Sequence, residues 1–156
     1  MGVNASGLRK RLDGHRVLLD TSVLIAYFEA SDATHDVAVA LIDDLVRKGT
    51  NPAVISPVVA MELLVLPLKR SASAAATVHD FIMTFPNLAL APVDLHVAQE
   101  AASLRASHGF KTPDALVIAT GIVAQVGHLV TNDQAWREKL ARAKDRIKVT
   151  MLADYR

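Results

Sequence analysis

The chain has 156 residues, 51% hydrophobic and 21% charged. That composition describes one globular domain with a core of its own and excludes a disordered chain. Seventeen basic and sixteen acidic residues leave a net charge of +1, so bulk charge does not mark a nucleic-acid binder. There is no cysteine, which removes disulfides and cysteine-bound zinc and fits a reducing cytoplasm; the six histidines are scattered without H-x-x-x-H spacing.

Residues 1–15 form an N-terminal extension with a basic "LRKR" and no apolar centre, so they do not read as a signal peptide, and no role is assigned to them. "VLLD" (17–20) is a continuous apolar run that ends on an acid, and "PAVIS" (52–56), "LALAP" (88–92) and "HLVTND" (128–133) repeat the pattern. Short β-prone runs without alternation predict buried parallel strands. "TSVLIAYFEA" predicts a helix after the first strand, and "THDVAVALIDDLVRKG" a second helix that stops at Gly49. Ser56 and Pro57 suit the cap and first position of a helix that Pro67 limits or kinks. "SASAAATVHDFIMTF" is helical. "DLHVAQEAASLRASHG" is a helix opened by Asp94 and closed by Gly109, and "TPDALVIATGIVAQVG" is one opened by Thr112 and Pro113 and closed by Gly127. That last helix and the strand after it make the longest apolar run, too short and interrupted to span a bilayer, so no membrane association is expected. "IKV" near the end reads as an edge strand, followed by a short tail, 151–156. Strands alternating with helices over 16–150 predict a single α/β domain, an α/β/α sandwich around a mostly parallel sheet.

Sites in such sheets form beyond the carboxyl ends of the strands. Asp20 ends the first strand, Asp133 follows "HLVT", and Asp114 lies in the first turn of its helix. Glu62 sits about 7.5 Å along its helix from Pro57 at 1.5 Å per residue. Its i±3 and i±4 neighbours are Val58, Val59, Val65 and Leu66, which predicts an apolar surround and a raised pKa. Each acid has an ordinary alternative. Asp133 suits a cap of "QAWREKL", Asp114 a helix N-terminus, Asp20 a bond to its own turn, and Glu62 a partly exposed position or a bond to neighbouring backbone. Four carboxylates at one sheet edge would repel and would call for protons or cations; oxygen-rich sites suit Mg²⁺ or Mn²⁺. Without these four, 17 basic residues face 12 acidic ones, a +5 surface suited to a polyanion.

The segments "VLLDTSVLIAYF", "ISPVVAMELL", "KTPDALVIATGIV" and "LVTND" resemble, in order and spacing, the four acidic motifs of the PIN-domain nucleases, most of all the VapC-type toxins of toxin–antitoxin pairs. The resemblance implies a PIN-like fold, Mg²⁺- or Mn²⁺-dependent endoribonuclease activity leaving 5′-phosphate and 3′-hydroxyl ends, homodimers, and inhibition by a cognate antitoxin. Transfer RNA and ribosomal RNA loops are the implied substrates. By position, Asp20, Glu62, Asp114 and Asp133 match the acidic quartet as catalytic residues and metal ligands. Thr21 or Ser22 matches the hydroxyl after the first acid, and Thr131 and Asn132 match the polar pair before the last. Arg105, Lys111 and the basic segment 137–148 are candidates for contacts to the RNA backbone. A non-cleaving PIN-like RNA-binding domain and a housekeeping nuclease remain as alternatives. A phospho-acceptor module also remains, although it normally places paired acids after the first strand, and the adjacent pair here, Asp43 and Asp44, falls in a helical pattern.

Overall fold

A computed structural model describes residues 2–143 and 147–156. Five short strands carry the β-branched and leucine-rich runs: β1 (Val17–Leu19), β2 (Ala53–Ile55), β3 (Leu88–Leu90), β4 (His128–Thr131) and β5 (Lys148–Met151). They form one sheet in the order β3-β2-β1-β4-β5, and every pair is parallel. β1 and β4 are buried along their whole length because helices cover both faces. "LALAP" departs from the expected burial. β3 is an edge strand with Ala89 and Leu90 exposed, because nothing lies beyond it in the sheet.

The helices are α1 (Ala5–Leu12), α2 (Thr21–Phe28), α3 (His35–Val39), α4 (Pro57–Arg70), α5 (Ala72–Thr84), α6 (Leu95–His108), α7 (Thr112–Val123) and α8 (Gln134–Lys139). The N-terminal residues are part of the domain core: Leu8 and Leu12 are fully buried in it, and Asn4 N–H donates to Tyr155 O at 2.9 Å. The helix expected over 34–49 is not uniform. After α3 it widens into a π-helical segment, Ala40–Val46, with Arg47 N–H bonded five residues back to Ile42 O.

Ser56 caps α4 by accepting from Val58 N–H at 3.1 Å, with Pro57 at the first position. Pro67 does not end α4, which continues to Arg70. α7 ends earlier than Gly127, on a Schellman turn. Gln125 takes φ 54°, its N–H bonds Ile122 O at 3.0 Å, and Val126 N–H bonds Gly121 O at 3.1 Å. Gly127 serves a different need. A Cβ there would meet His15 Cβ at 2.6 Å, while its N–H donates to Arg16 O at 2.8 Å.

The chain leaves β1 toward β2 and β3, then crosses back to lay β4 on the other side of β1. The switch of direction opens a crevice at the carboxyl ends of β1 and β4, where parallel α/β sheets place their ligands.

Candidate active site

Asp20 stands at the end of β1 and caps α2. It is 8% exposed, and three donors hold it. Thr21 N–H reaches Oδ1 at 2.8 Å, and the hydroxyls of Thr131 and Ser22 reach Oδ2 at 2.7 and 3.0 Å. Those two hydroxyls also accept from β4's following loop: Asp133 N–H donates to Thr131 Oγ1 at 2.9 Å, and Asn132 N–H to Ser22 Oγ at 3.0 Å. One carboxylate thus ties the ends of the two strands at the switch point together.

Asp133 is the cap of α8, accepting from Ala135 N–H at 2.9 Å through Oδ1. Asp114 is half-buried in the first turn of α7, close enough to Asp133 to feel its charge. Glu62 emerges from α4 facing Thr21, Asp20 and Asp114. The fold therefore brings all four acids to one edge.

Burial and crowding raise three of these acids. Burial, against its three hydrogen bonds and with repulsion from Asp114 added, raises the Asp20 pKa. Partial burial raises that of Glu62, with the charges of Asp20 and Asp114 behind it. Burial and then Asp133 raise Asp114, while Trp136, Lys139 and Lys111 pull it back.

The surround of Glu62 differs from the expectation of an apolar setting. Glu62 is exposed, and Val65 and Leu66 beside it are 43% and 59% exposed. Of its four apolar neighbours only Val65 and Leu66 lie on the open face, while Val59 and, in part, Val58 turn inward with Leu63. Sequence alone does not reveal which stripe of an almost wholly apolar helix turns outward.

Thr34, Asp32 and Trp136 support the site without a clear signal in the sequence. Asn132 Nδ2 donates to Thr34 Oγ1 at 2.8 Å, and that hydroxyl donates to Asp32 Oδ1 at 2.8 Å. Trp136 is fully buried, and its indole N–H faces Asp114. Of the basic candidates, Lys111 and Lys139 lie near Asp114. Lys139 also donates to Gly109 O at 3.1 Å and sits 5.1 Å from the Phe110 ring centre. Arg105 is exposed on α6, and within the 137–148 segment Lys144 and Arg146 lie outside the described residues.

The donor set fits a hard divalent cation in its chemistry: Asp20, Glu62 and Asp114, which burial and mutual repulsion leave poorly compensated, with the carboxylate of Asp133 beside Asp114. Thr21 Oγ1, Asn132 Oδ1 and Trp136 Nε1, all at this site, are buried without a closed hydrogen bond. Among the described residues, no three His, Cys, Asp or Glu side chains already converge on one point. Asp43 and Asp44 lie elsewhere: Asp43 takes bonds from Tyr27 and Arg47, and Asp44 pairs with Lys48.

A parallel five-stranded sheet with carboxylates grouped at its switch point defines an α/β protein whose site lies beyond the carboxyl ends of its strands. The chain belongs to the PIN domain family, whose profile matches residues 17–141. No curated protein sequence matches it. Solved structures with the same fold include VapBC2 from Rickettsia felis, bound to a DNA fragment from its promoter (16% identity, 86% of this chain and 97% of that one, TM-score 0.65). FitAcB from Neisseria gonorrhoeae is 20% identical over 88% of this chain and 98% of its own, with TM-score 0.66. VapC20 of Mycobacterium tuberculosis, a Sarcin-Ricin loop cleaving toxin, is 19% identical over 72% and 86%, with TM-score 0.59.

Proposed function

We propose that this PIN domain is a metal-dependent endoribonuclease and acts as the toxin of a VapBC-type pair. The observation that carries the reading is the Asp20 junction: a buried carboxylate at the switch point, with Glu62, Asp114 and Asp133 grouped around it by fold and coupled by charge. The likeness in fold to the VapC structures supports the biological role.

Asp20 and Asp114 are the first candidates to hold Mg²⁺ or Mn²⁺, with Glu62 and Asp133 completing the pocket or a second position. A bound ion would acidify a water and offset charge on the phosphoryl oxygens. Three donors already fix Asp20, which leaves lone-pair capacity on its oxygens in a set orientation. Thr131 and Ser22 keep that carboxylate from rotating, and Asn132 is anchored through Thr34. Lys111 and Lys139 place positive charge beside Asp114, where an incoming phosphodiester would lie. In the hydrolysis, a water oxygen bonds to phosphorus as the bond from phosphorus to O3′ breaks. The proton goes to the departing oxygen, leaving 3′-hydroxyl and 5′-phosphate ends.

An inhibitory partner suits a second feature. An apolar groove of about 330 Å³ lies between α2, α4 and α5, lined by Ile25, Phe28, Leu63 and Leu66, with Arg70 at its rim. Exposed apolar surface of this kind marks a protein interface, and an amphipathic segment of an antitoxin is the occupant we assign to it. A homodimer has a separate apolar patch available at the β3 edge, with exposed Leu90, Val93 and Leu95. Among the described residues no helix is long and apolar enough to cross a membrane; a cytoplasmic location belongs to the toxin reading.

Cleavage of RNA by the purified protein with Mg²⁺ or Mn²⁺, and its abolition by EDTA, is the direct test. Asp20→Asn and Asp114→Asn should each lower the rate at least about 100-fold, the scale of losing one electrostatic contact to the reaction. Full cleavage by both variants would overturn the site. Expression should also arrest growth, with relief by the antitoxin. A cutting protein that leaves growth untouched is a housekeeping nuclease, and one that binds RNA without cutting is a non-cleaving PIN domain.

A further inference from the structure

The basic "LRKR" of the N-terminal extension has no part in the acidic pocket, yet α1 carries it to a definite place. A groove of about 550 Å³ runs along the open edge of β5. Leu140, Ile147 and Val149 floor it, and Arg11, Arg137 and Lys148 rim it.

Arg11 reaches in from the last turn of α1. Its Nε donates to Thr150 Oγ1 and a terminal nitrogen donates to Val149 O, both at 3.2 Å. Both acceptors are neutral. The guanidinium is therefore anchored but not compensated, and it keeps further N–H groups for a ligand. Arg137 is held by Asp154 at 2.9 Å. Among the described residues no carboxylate pairs with Arg11 or Lys148. Both line the same groove, and the charge of each reaches the same buried histidine, His128. Two like charges held together over an apolar floor make a site for an anion.

The groove is joined to the acidic pocket by a single short helix. Asp133 caps α8 at the pocket, and Arg137 comes four residues later, about 6 Å along the axis. Lys139 on the same helix faces Asp114. A polymer held at the carboxylates and passing over α8 meets this groove next. The floor is aliphatic and Trp136 is fully buried. Among the described residues no aromatic side chain lines this groove, so its cations are assigned to phosphates, contacts that carry no sequence information. A free acidic peptide would explain the cations but not their continuity with the pocket.

We infer that the groove between α1 and β5 is a second, sequence-independent binding track for the phosphate backbone of the RNA, and that the N-terminal extension supplies its key cation, Arg11. This rests on the ribonuclease reading above. The N-terminal helix lengthens the footprint of the domain beyond its acidic pocket.

The test is equilibrium binding of a fluorescein-labelled single-stranded RNA, long enough to extend beyond the pocket, to the full chain in EDTA at several salt concentrations. Lys148→Gln and the double variant Arg11→Gln/Lys148→Gln are compared with the wild type. Each lost phosphate contact should flatten the plot of log K against log salt by about 0.7. The double variant should therefore lose about 1.4 in slope and bind roughly tenfold more weakly at moderate salt. Arg11 also braces β5, so Lys148→Gln, an exposed change, decides the matter if the double variant unfolds. Unchanged slope in a variant of a wild type that binds RNA overturns the track and leaves the nuclease reading standing. A wild type that binds no RNA in EDTA overturns the track, while the Mg²⁺-dependent cleavage assay decides the nuclease reading separately. Polyglutamate binding weakened by Lys148→Gln, with RNA binding intact, assigns the groove to an acidic protein segment and also overturns the inference.

Discussion

His128 offers a quantitative check on the packing beneath the sheet. It is 1% exposed at the start of β4, where Nδ1 lies 2.9 Å from Thr150 Oγ1 and the ring meets His15 edge-on. Burial, then the charges of Arg11 and Lys148 and the neighbouring His15, hold its pKa down to about 4 from the ordinary 6.5. A pKa lowered by folding contributes stability above the unfolded value and loses it as pH falls toward the folded one. Between pH 6.5 and 4 the unfolded chain takes up one more proton at this residue than the native fold does. At 1.36 kcal/mol per unit, 2.5 units amount to about 3 kcal/mol. The raised carboxylates work in the opposite sense. Asp20, Glu62 and Asp114 bind protons more readily when folded, so their contribution is present at low pH and is lost as pH rises through their folded values. Both contributions fall in the acid range, and a single denaturation series on the wild type would mix them. Urea unfolding of the wild type and of His128→Gln, each from pH 7 to 4, separates them because the carboxylates are common to both. The wild type should lose about 3 kcal/mol relative to the variant's own profile. Parallel profiles would refute the claim that His128 is buried in its neutral form.

The other predictions concern the acidic edge. Thr131→Val removes a donor to Asp20 and an acceptor for Asp133 N–H at a fully buried position; it should cost about 3 kcal/mol in chemical denaturation and lower cleavage with it. Less than half a kilocalorie would show that Thr131 does not organise the junction. Glu62→Gln takes a charge away from Asp20 and Asp114, so the metal-free protein should melt slightly higher near neutral pH while RNA cleavage falls. A higher melting point with cleavage intact would show that Glu62 has no part in the reaction. Mg²⁺ should raise the melting temperature of the wild type, by the equivalent of about 2.7 kcal/mol at a hundred times its dissociation constant. The same titration should move Asp114→Asn less, and equal shifts would place the ion elsewhere.

Several features were legible along the chain because they depend on neighbours in sequence. Ser56 with Pro57, and Asp94 with Gly109, mark helix ends through local hydrogen bonds and φ preferences, and the structure uses them so. Local rules failed where packing competed. α7 stops on Gln125 in a left-handed turn, not on Gly127, because Gly127 is needed small against His15. Pro67 stays inside α4, where a missing N–H at one position does not outweigh the helix that continues around it. The edge position of β3 was not readable, because apolar content does not say which strand ends the sheet.

The acids divide along the same line. Strand-to-helix junctions placed Asp20 and Asp133 at the carboxyl ends of β1 and β4, since a run of apolar residues broken by an acid both ends a strand and caps the next helix. The amino-acid sequence alone therefore determined an alternating α/β chain, its parallel strands and the order of its four carboxylates. Tertiary structure decided that β4 returns beside β1, which turns separate acids into a coupled group and ties Asp20 to Thr131 across 111 positions of chain. It also decided that α1, without a role in the linear pattern, buries Leu8 and Leu12 and carries Arg11 to the β5 edge. Strand order and helix docking follow from long-range burial, and no local preference encodes which distant surfaces will meet.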